Sequence, residues 1–307
     1  MKFIRSISQL RKHHQNCVAT IGNFDGVHLG HQAVFKQLAT KAAELQLPMV
    51  AMIFEPQAQE FFLPDKAPAR LTRLREKLLA LRRYTSIDQV LCLNFNKKFA
   101  TLSAEDFIQQ VLVDGLKIQH LVIGDDFRFG KQRKGDFKLL QKYSSFTVEN
   151  SYTFKIDDQR VSSTRIRQTL KQDNFKEASK LLGRPFTMCG RIAYGKQLGR
   201  TIGFATANIV LHNRISPLKG IFAVKIHGIT EKPLLGAASI GTNPAVNGKE
   251  LLLEVHIFNF DQNIYGCYIE IEFIQKIRDE ENFPNLEQLK QRIKLDVKIA
   301  KQILLLS

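Results

Sequence analysis

Gly22-Asn-Phe-Asp-Gly-Val-His28-Leu-Gly30-His31 joins two segments of opposite character. Upstream, Cys17-Val-Ala-Thr-Ile21 is a short continuous apolar run and predicts a buried strand. Downstream, Val34, Leu38, Ala42 and Leu45 recur at helical spacing and predict a helix from about Leu29 to Leu45. The ten residues are therefore a strand-to-helix turn, with both histidines in the turn and the first helical residues. Exposed backbone N–H groups and the positive end of the helix dipole make such a turn attractive to phosphate. Glycines at 22, 26 and 30 permit unusual dihedrals and close backbone approach.

The same alternation runs on through the first half. Strand-like Met49 to Phe54 is followed by a helical stretch from about Arg70 to Arg83, then by strand-like Gln89 to Leu93. A helix from about Ala104 to Val113 precedes the strand-like His120 to Gly124. Short apolar strands separated by helices predict a parallel sheet covered on both faces. Ligands of such sheets bind beyond the carboxyl ends of the strands, where Gly22 and Gly124 both fall.

The pattern changes near Gly183-Arg-Pro185, where the helix Phe175 to Leu182 meets a C′ glycine and then a proline that blocks continuation. Beyond it, Leu251, Leu253, Val255 and Ile257 alternate with Glu254 and His256, and Ile269, Ile271 and Phe273 alternate with Glu270 and Glu272. These segments predict antiparallel strands of a small barrel. A closing helix is signalled by Asn285 as N-cap, Gln288 as its box partner, and Leu286, Leu289, Ile293 and Val297 along one side. The expected organisation is two unlike domains, residues 1–183 and 184–307.

Composition narrows the function classes. At 307 residues and 44% apolar content the chain can bury two cores. No apolar run reaches bilayer-spanning length, and charges break up the N-terminal apolar residues, so neither a membrane span nor a signal core is expected. Cys17, Cys92, Cys189 and Cys267 lie far apart in apolar settings, which favours reduced thiols and a cytoplasmic protein. Net charge is +16, from 45 basic against 29 acidic residues. The basic residues are dispersed in short groups, so the surplus reads as solvated helix faces and general anion attraction, and no nucleic-acid partner is expected.

His-x-Gly-His lacks the Gly-Lys-Ser/Thr that wraps phosphates in a P-loop. Two imidazoles at a helix N-terminus suit another task, donating hydrogen bonds to charge that develops on an α-phosphate and its pyrophosphate leaving group. A zinc site would want a third and usually a fourth ligand at recognisable spacing, and none stands out. Ser162-Ser-Thr-Arg-Ile-Arg167 opens another helix, with arginines that disfavour the dipole unless an anion offsets them. An ordinary N-cap beside two solvent arginines explains that segment equally well. In the second half, the glycine-rich run from Gly190 to Asn208 ends in Thr206 and Asn208, whose oxygens suit a hard cation. By itself Glu254 reads as an exposed strand carboxylate.

Taken together these motifs resemble the prokaryotic bifunctional riboflavin kinase/FMN adenylyltransferase (FAD synthetase) family. The resemblance rests on Gly22 to His31, Phe54-Glu-Pro56, Lys66 to Lys77, Gly124-Asp-Asp-Phe-Arg-Phe-Gly130, Gly135-Asp136 and Ser162 to Arg167 in the first half. In the second it rests on Gly190 to Asn208, Gly241, Glu254, Tyr265-Gly266, Arg278 and Phe283. It implies an α/β chain, with a Rossmann-like nucleotidylyltransferase parallel sheet followed by a small antiparallel β-barrel and a terminal helix. It implies riboflavin phosphorylation to FMN in the barrel and FMN adenylylation to FAD in the first domain, with ATP and Mg²⁺ in both steps.

By the same resemblance, His28 and His31 are catalytic and contact the ATP phosphates. Gly22, Phe24, Asp25, Gly26, Gly30, Ser163, Thr164 and Arg167 line the bound ATP, and Asp126, Phe127 and Phe129 lie near the flavin. In the barrel, Glu254 is the base for the riboflavin 5′-hydroxyl, Gly195, Gly199 and Arg200 cradle phosphate, Thr206 and Asn208 hold Mg²⁺, and Arg278 meets the flavin. A monomer or weak homo-oligomer is expected. Ala205 stands where the family carries proline, and Asn243 and Ala245 replace an arginine and a threonine. These departures leave as the alternative an adenylyltransferase whose barrel only binds flavin.

Overall fold

The computed structural model describes all residues except 125, 196–198, 200–202, 212–214, 243–250 and 307. The chain divides into two compact units, one formed by Met1–Pro68 with Thr72–Ser163, the other by Ala69–Leu71 with Thr164–Ser307.

The first unit is a six-stranded sheet of β1 (Lys2–Ile4), β2 (Val18–Ile21), β3 (Met49–Glu55), β4 (Gln89–Asn94), β5 (His120–Ile123) and β6 (Thr147–Asn150). Its spatial order is β1-β4-β3-β2-β5-β6 and every pairing is parallel. Successive side chains of a strand leave opposite faces, so the continuous apolar runs feed two cores. Val18, Ala51, Ile53, Val90 and Val122 meet Phe35 and Leu38 of α1 (Leu29–Leu45). Ala19, Ile21, Met52, Leu91 and Leu121 meet Phe107, Ile108 and Leu112 on the other face.

Short α2 (Ala58–Phe62) and longer α3 (Leu74–Tyr84) follow β3, and α4 (Lys97–Ala100) follows β4. Then come α5 (Ala104–Phe107), which continues as a π-helix over Ile108–Leu116, and α6 (Phe137–Leu140). A hairpin of β7 (Lys155–Ile156) and β8 (Gln159–Arg160) turns at Asp157 and Asp158, both at positive φ, as a tight two-residue loop requires.

The helix expected from about Arg70 begins only at Leu74, because the backbone N–H and hydroxyl of Thr72 are taken by Asp25 rather than by a helical ladder. Two edge strands carry no apolar periodicity. β1 is three residues long and β6 is partly exposed with Glu149 in it, so neither has the apolar run that marks the central strands.

The second unit holds α7 (Ser163–Lys171), which begins at the last residue of the first unit, and α8 (Phe175–Leu182), which ends at Gly183 in the left-handed region as the sequence predicts. They precede a closed antiparallel barrel of β9 (Thr187–Ala193), β10 (Ala207–Val210), β11 (Gly220–His227), β12 (Leu234–Thr242), β13 (Leu251–Ile257) and β14 (Tyr268–Arg278). Its order is β10-β13-β12-β11-β14-β9, and closure removes free sheet edges. Phe222, Ile240, Leu253, Val255, Ile271 and Phe273 are buried, and Phe175 of α8 packs on Phe222 at 6.0 Å.

Helix α9 (Leu286–Leu305) starts at Asn285, whose side chain accepts the Gln288 N–H, and lays Ala300 and Leu304 on Ala223 and Phe258. Replacing Phe222, 0% exposed at the middle of this aromatic cluster, with alanine should destabilise the second unit by about 3–5 kcal/mol. Chemical denaturation followed by circular dichroism checks it.

Candidate active sites

The chain leaves β2 toward β3 on one side and later returns to β5 on the other. Gly22 and Gly124 thus follow two neighbouring strands at the point where strand order reverses, which is where open α/β sheets bind ligands. Between β2 and α1 the backbone is forced into the left-handed region at Phe24 (φ 45°), Gly26 (φ 85°) and Val27 (φ 41°). For a β-branched residue that conformation is strained, and it persists only where surroundings over-determine it.

Those surroundings are specific. Asp25 is 2% exposed, and its Oδ1 accepts from the Thr72 backbone N–H at 2.9 Å and the Thr72 hydroxyl at 3.1 Å. The Gly26 N–H donates to the same hydroxyl oxygen at 2.9 Å, and the Ser163 hydroxyl donates to the Asp25 carbonyl at 2.8 Å. Two residues expected to meet ATP, Asp25 and Ser163, are therefore brought together as parts of one buried brace.

His28 is the N-cap of α1, with extended backbone, and its Nδ1 accepts the His31 N–H at 3.2 Å. That bond keeps Nδ1 unprotonated, so the neutral ring carries its proton on Nε2 as a donor. The two imidazoles stack 3.6 Å apart at 19°, and Phe24 meets His31 edge-on at 5.3 Å. A Cβ on Gly30 would lie 3.0 Å from the Val161 carbonyl and 3.1 Å from the His28 ring, so the close approach requires glycine. A Cβ on Gly22 would press on the Phe24 ring at 3.1 Å.

On the loop after β5, exposed Asp126 pairs with Arg160 at 3.6 Å. Phe127 and Phe129 stack at 5.4 Å, and Phe129 exchanges two backbone bonds with Gly135. On α7, Thr164 is exposed, Arg165 pairs with Glu177 at 2.7 Å, and the Arg167 Nε donates to the Ala69 carbonyl at 2.6 Å.

In the barrel, Asn208 on β10, Glu254 on β13 and Ser239 on β12 lie directly opposite one another in register. Opposed residues leave the same face of a sheet, so the three form one polar row. Glu254 alternates with inward Leu253 and Val255, yet burial still pushes its carboxyl above the ordinary value.

Thr206, just before β10, lines a cavity of about 460 Å³ with Ile192, Ala207, Val255, Ile257 and Tyr265. The Asn208 amide packs so closely on Gly195 that a Cβ there would collide with it. The Gly199 carbonyl accepts the Phe204 N–H at 2.7 Å. Arg278, expected at the flavin, is bound bidentately by buried Asp296 of α9 at 2.7–3.0 Å and lies 5.6 Å from the Phe283 ring centre. Arg200, Asn243 and Ala245 fall outside the described residues.

Residues 10–165 match the family model described as FAD synthetase, and residues 182–304 match the one described as riboflavin kinase. A bifunctional riboflavin kinase/FMN adenylyltransferase of Haemophilus influenzae is 47% identical over 304 residues, covering 98% of this chain and 98% of that protein. The enzyme of the same description from Escherichia coli is 47% identical over 306 residues, covering 98% and 97%. The chain belongs to the bifunctional riboflavin kinase/FMN adenylyltransferase family.

A solved structure described as a macrolide-efflux protein from Streptococcus pneumoniae is also similar, with a TM-score of 0.78 and 30% identity, covering 98% of this chain and 99% of that one. No helix among the described residues is long and apolar enough to cross a membrane.

As in the family signature, the strand-to-helix turn was visible from residue types alone, whereas the partner of Asp25 was not. Thr72 lies 46 residues beyond Gly26, and only the rule that a buried carboxylate finds donors pointed to any partner. Ser239 likewise carries no local signal and joins Glu254 through register. The raised Glu254 pKa has a consequence for stability. Its protonated form suits the fold, so the stability it contributes is complete at acid pH and is lost as pH rises through the raised folded value. Glu254→Gln should therefore melt at a higher temperature than the native protein near pH 7.5, with the gap closing toward pH 4. Thermal unfolding at both pH values checks this.

Proposed function

We propose that the barrel transfers the γ-phosphate of ATP to the riboflavin 5′-hydroxyl, and that the parallel-sheet unit then transfers AMP from a second ATP to FMN, giving FAD and pyrophosphate. The observation that carries this reading is that both halves of one chain match relatives named for both reactions over nearly their whole length. The same extent argues against a barrel that only binds flavin. The adenylyltransferase role is assigned to residues 1–183 and the kinase role to 184–307.

In the kinase step, Glu254 takes the proton of the 5′-hydroxyl as its oxygen bonds to the γ-phosphorus and the bond to ADP breaks. A carboxylate whose pKa is raised by burial is a stronger base than a solvated one. The Thr206 hydroxyl and Asn208 amide oxygen are hard neutral donors, so they fit Mg²⁺ held chiefly by the ATP phosphates. Bound there, the cation neutralises charge on the transferring phosphoryl group. Gly195, Gly199 and Arg200 accommodate the phosphates, and the cavity beside Thr206 receives the nucleotide. Arg278, steadied by Asp296, borders the flavin.

In the adenylyl step, an FMN phosphate oxygen attacks the α-phosphorus and the α–β bridging bond breaks. The His28 Nε2–H and His31 stabilise the charge that develops on the α-phosphate and the leaving pyrophosphate. Gly22, Phe24, Gly26 and Gly30 shape the turn, Asp25 braces it, and Ser163, Thr164 and Arg167 hold the triphosphate. Asp126, Phe127 and Phe129 flank the FMN. The protein works in the cytoplasm as a monomer or weak homo-oligomer, with Mg²⁺ in both steps and no nucleic-acid partner.

Incubating the protein with riboflavin, ATP and Mg²⁺ and separating the flavins by chromatography tests the reading, and absence of both FMN and FAD would sink it. Glu254→Gln should lower FMN formation by about 10²–10⁴-fold and leave FAD formation from supplied FMN intact. His28→Ala should do the reverse, with FAD formation falling about 10²–10³-fold.

A further inference from the structure

We propose that His256 is a positioning residue of the kinase site, holding the peptide that presents Thr206; the inference rests on reading the barrel as a kinase. The ladder between β10 and β13 reaches Ala207, opposite Val255. Thr206 and Ala205 lie before it. There the His256 side chain takes over, its Nδ1–H donating to the Ala205 carbonyl at 2.9 Å. A carbonyl only accepts, so the bond requires the proton on Nδ1.

The ring is steadied on both sides, edge-on to Phe204 at 5.3 Å and against Phe258 at 5.7 Å. His256 leaves the same face of β13 as Glu254, two residues away. One strand thus supplies the proposed base and the clamp on the segment that bears Thr206, the first of the two proposed metal ligands. Ala205 lacks the ring that fixes φ in proline, so this peptide has more freedom to lose. The histidine supplies from outside the restraint that a proline would build into the backbone.

The test uses the full chain, with riboflavin phosphorylation measured against MgATP concentration and FMN adenylylation as a second readout. His256→Phe retains an aromatic ring beside Phe204 and deletes the donor; the KM for ATP should rise about tenfold, the scale of one hydrogen bond. Adenylylation of supplied FMN should stay at the native level. His256→Asn places an amide N–H₂ near the lost Nδ1 and should recover most of the affinity, as should adding Ala205→Pro to His256→Phe.

A native KM for ATP in His256→Phe overturns the proposal. So does an equal loss in His256→Phe and His256→Asn that Ala205→Pro does not relieve. If the native protein forms no FMN at all, the kinase reading fails, and the proposal with it; native turnover with an unaffected His256→Phe rejects the clamp alone.

Discussion

The first unit is organised around a carboxylate that water does not reach. A carboxyl group this buried must be met by donors, and Thr72 meets Asp25 with both its backbone N–H and its hydroxyl. The same hydroxyl accepts from Gly26, and Ser163 adds a bond to the Asp25 carbonyl. Segments far apart in sequence are thereby pinned to one turn. The strained backbone at Phe24 and Val27 is the consequence, and it aims the N-terminus of α1 and its two histidines at the carboxyl edge of the sheet. A helix N-terminus, an N-capping imidazole with its proton on Nε2 and a stacked second ring then form one electropositive corner.

The barrel uses a carboxylate in the opposite sense. Glu254 lies in a row with Asn208 and Ser239 on the outward face of a closed sheet, where burial makes ionisation unfavourable. That cost in stability at neutral pH is characteristic of groups kept for chemistry. Asp25 is met by donors and serves architecture, whereas Glu254 is desolvated, as suits the base proposed for the kinase step. Burial and partners distinguish the two carboxylates.

Much of this was readable before any fold was known. The segment from β2 through α1 to β3 is written in apolar periodicity, as are α8 with its glycine stop, the alternation of β13 and the N-cap of α9. Periodicity failed where burial is partial. The edge strands β1 and β6 lack a full apolar face, and the β7–β8 hairpin rests on two aspartates at positive φ. Helix α3 starts later than its propensity predicts because a long-range bond to Thr72 overrides local helix propensity. Residue type points to site residues, but type does not separate a braced residue such as Asp25 from one that lines a cavity, such as Thr206.

The two-part architecture, the strand-to-helix turn with its histidine pair and the strand bearing Glu254 are all written in the chain, because each follows from side-chain period and turn chemistry within a short window. Folding is what brings Thr72 to Asp25, sets Asn208, Glu254 and Ser239 in one row, seats Arg278 on Asp296, and places His256 against the Ala205 carbonyl. Those pairings join residues from different elements. They are selected by the need of buried polar groups for partners, a requirement that acts only once the chain has closed around them.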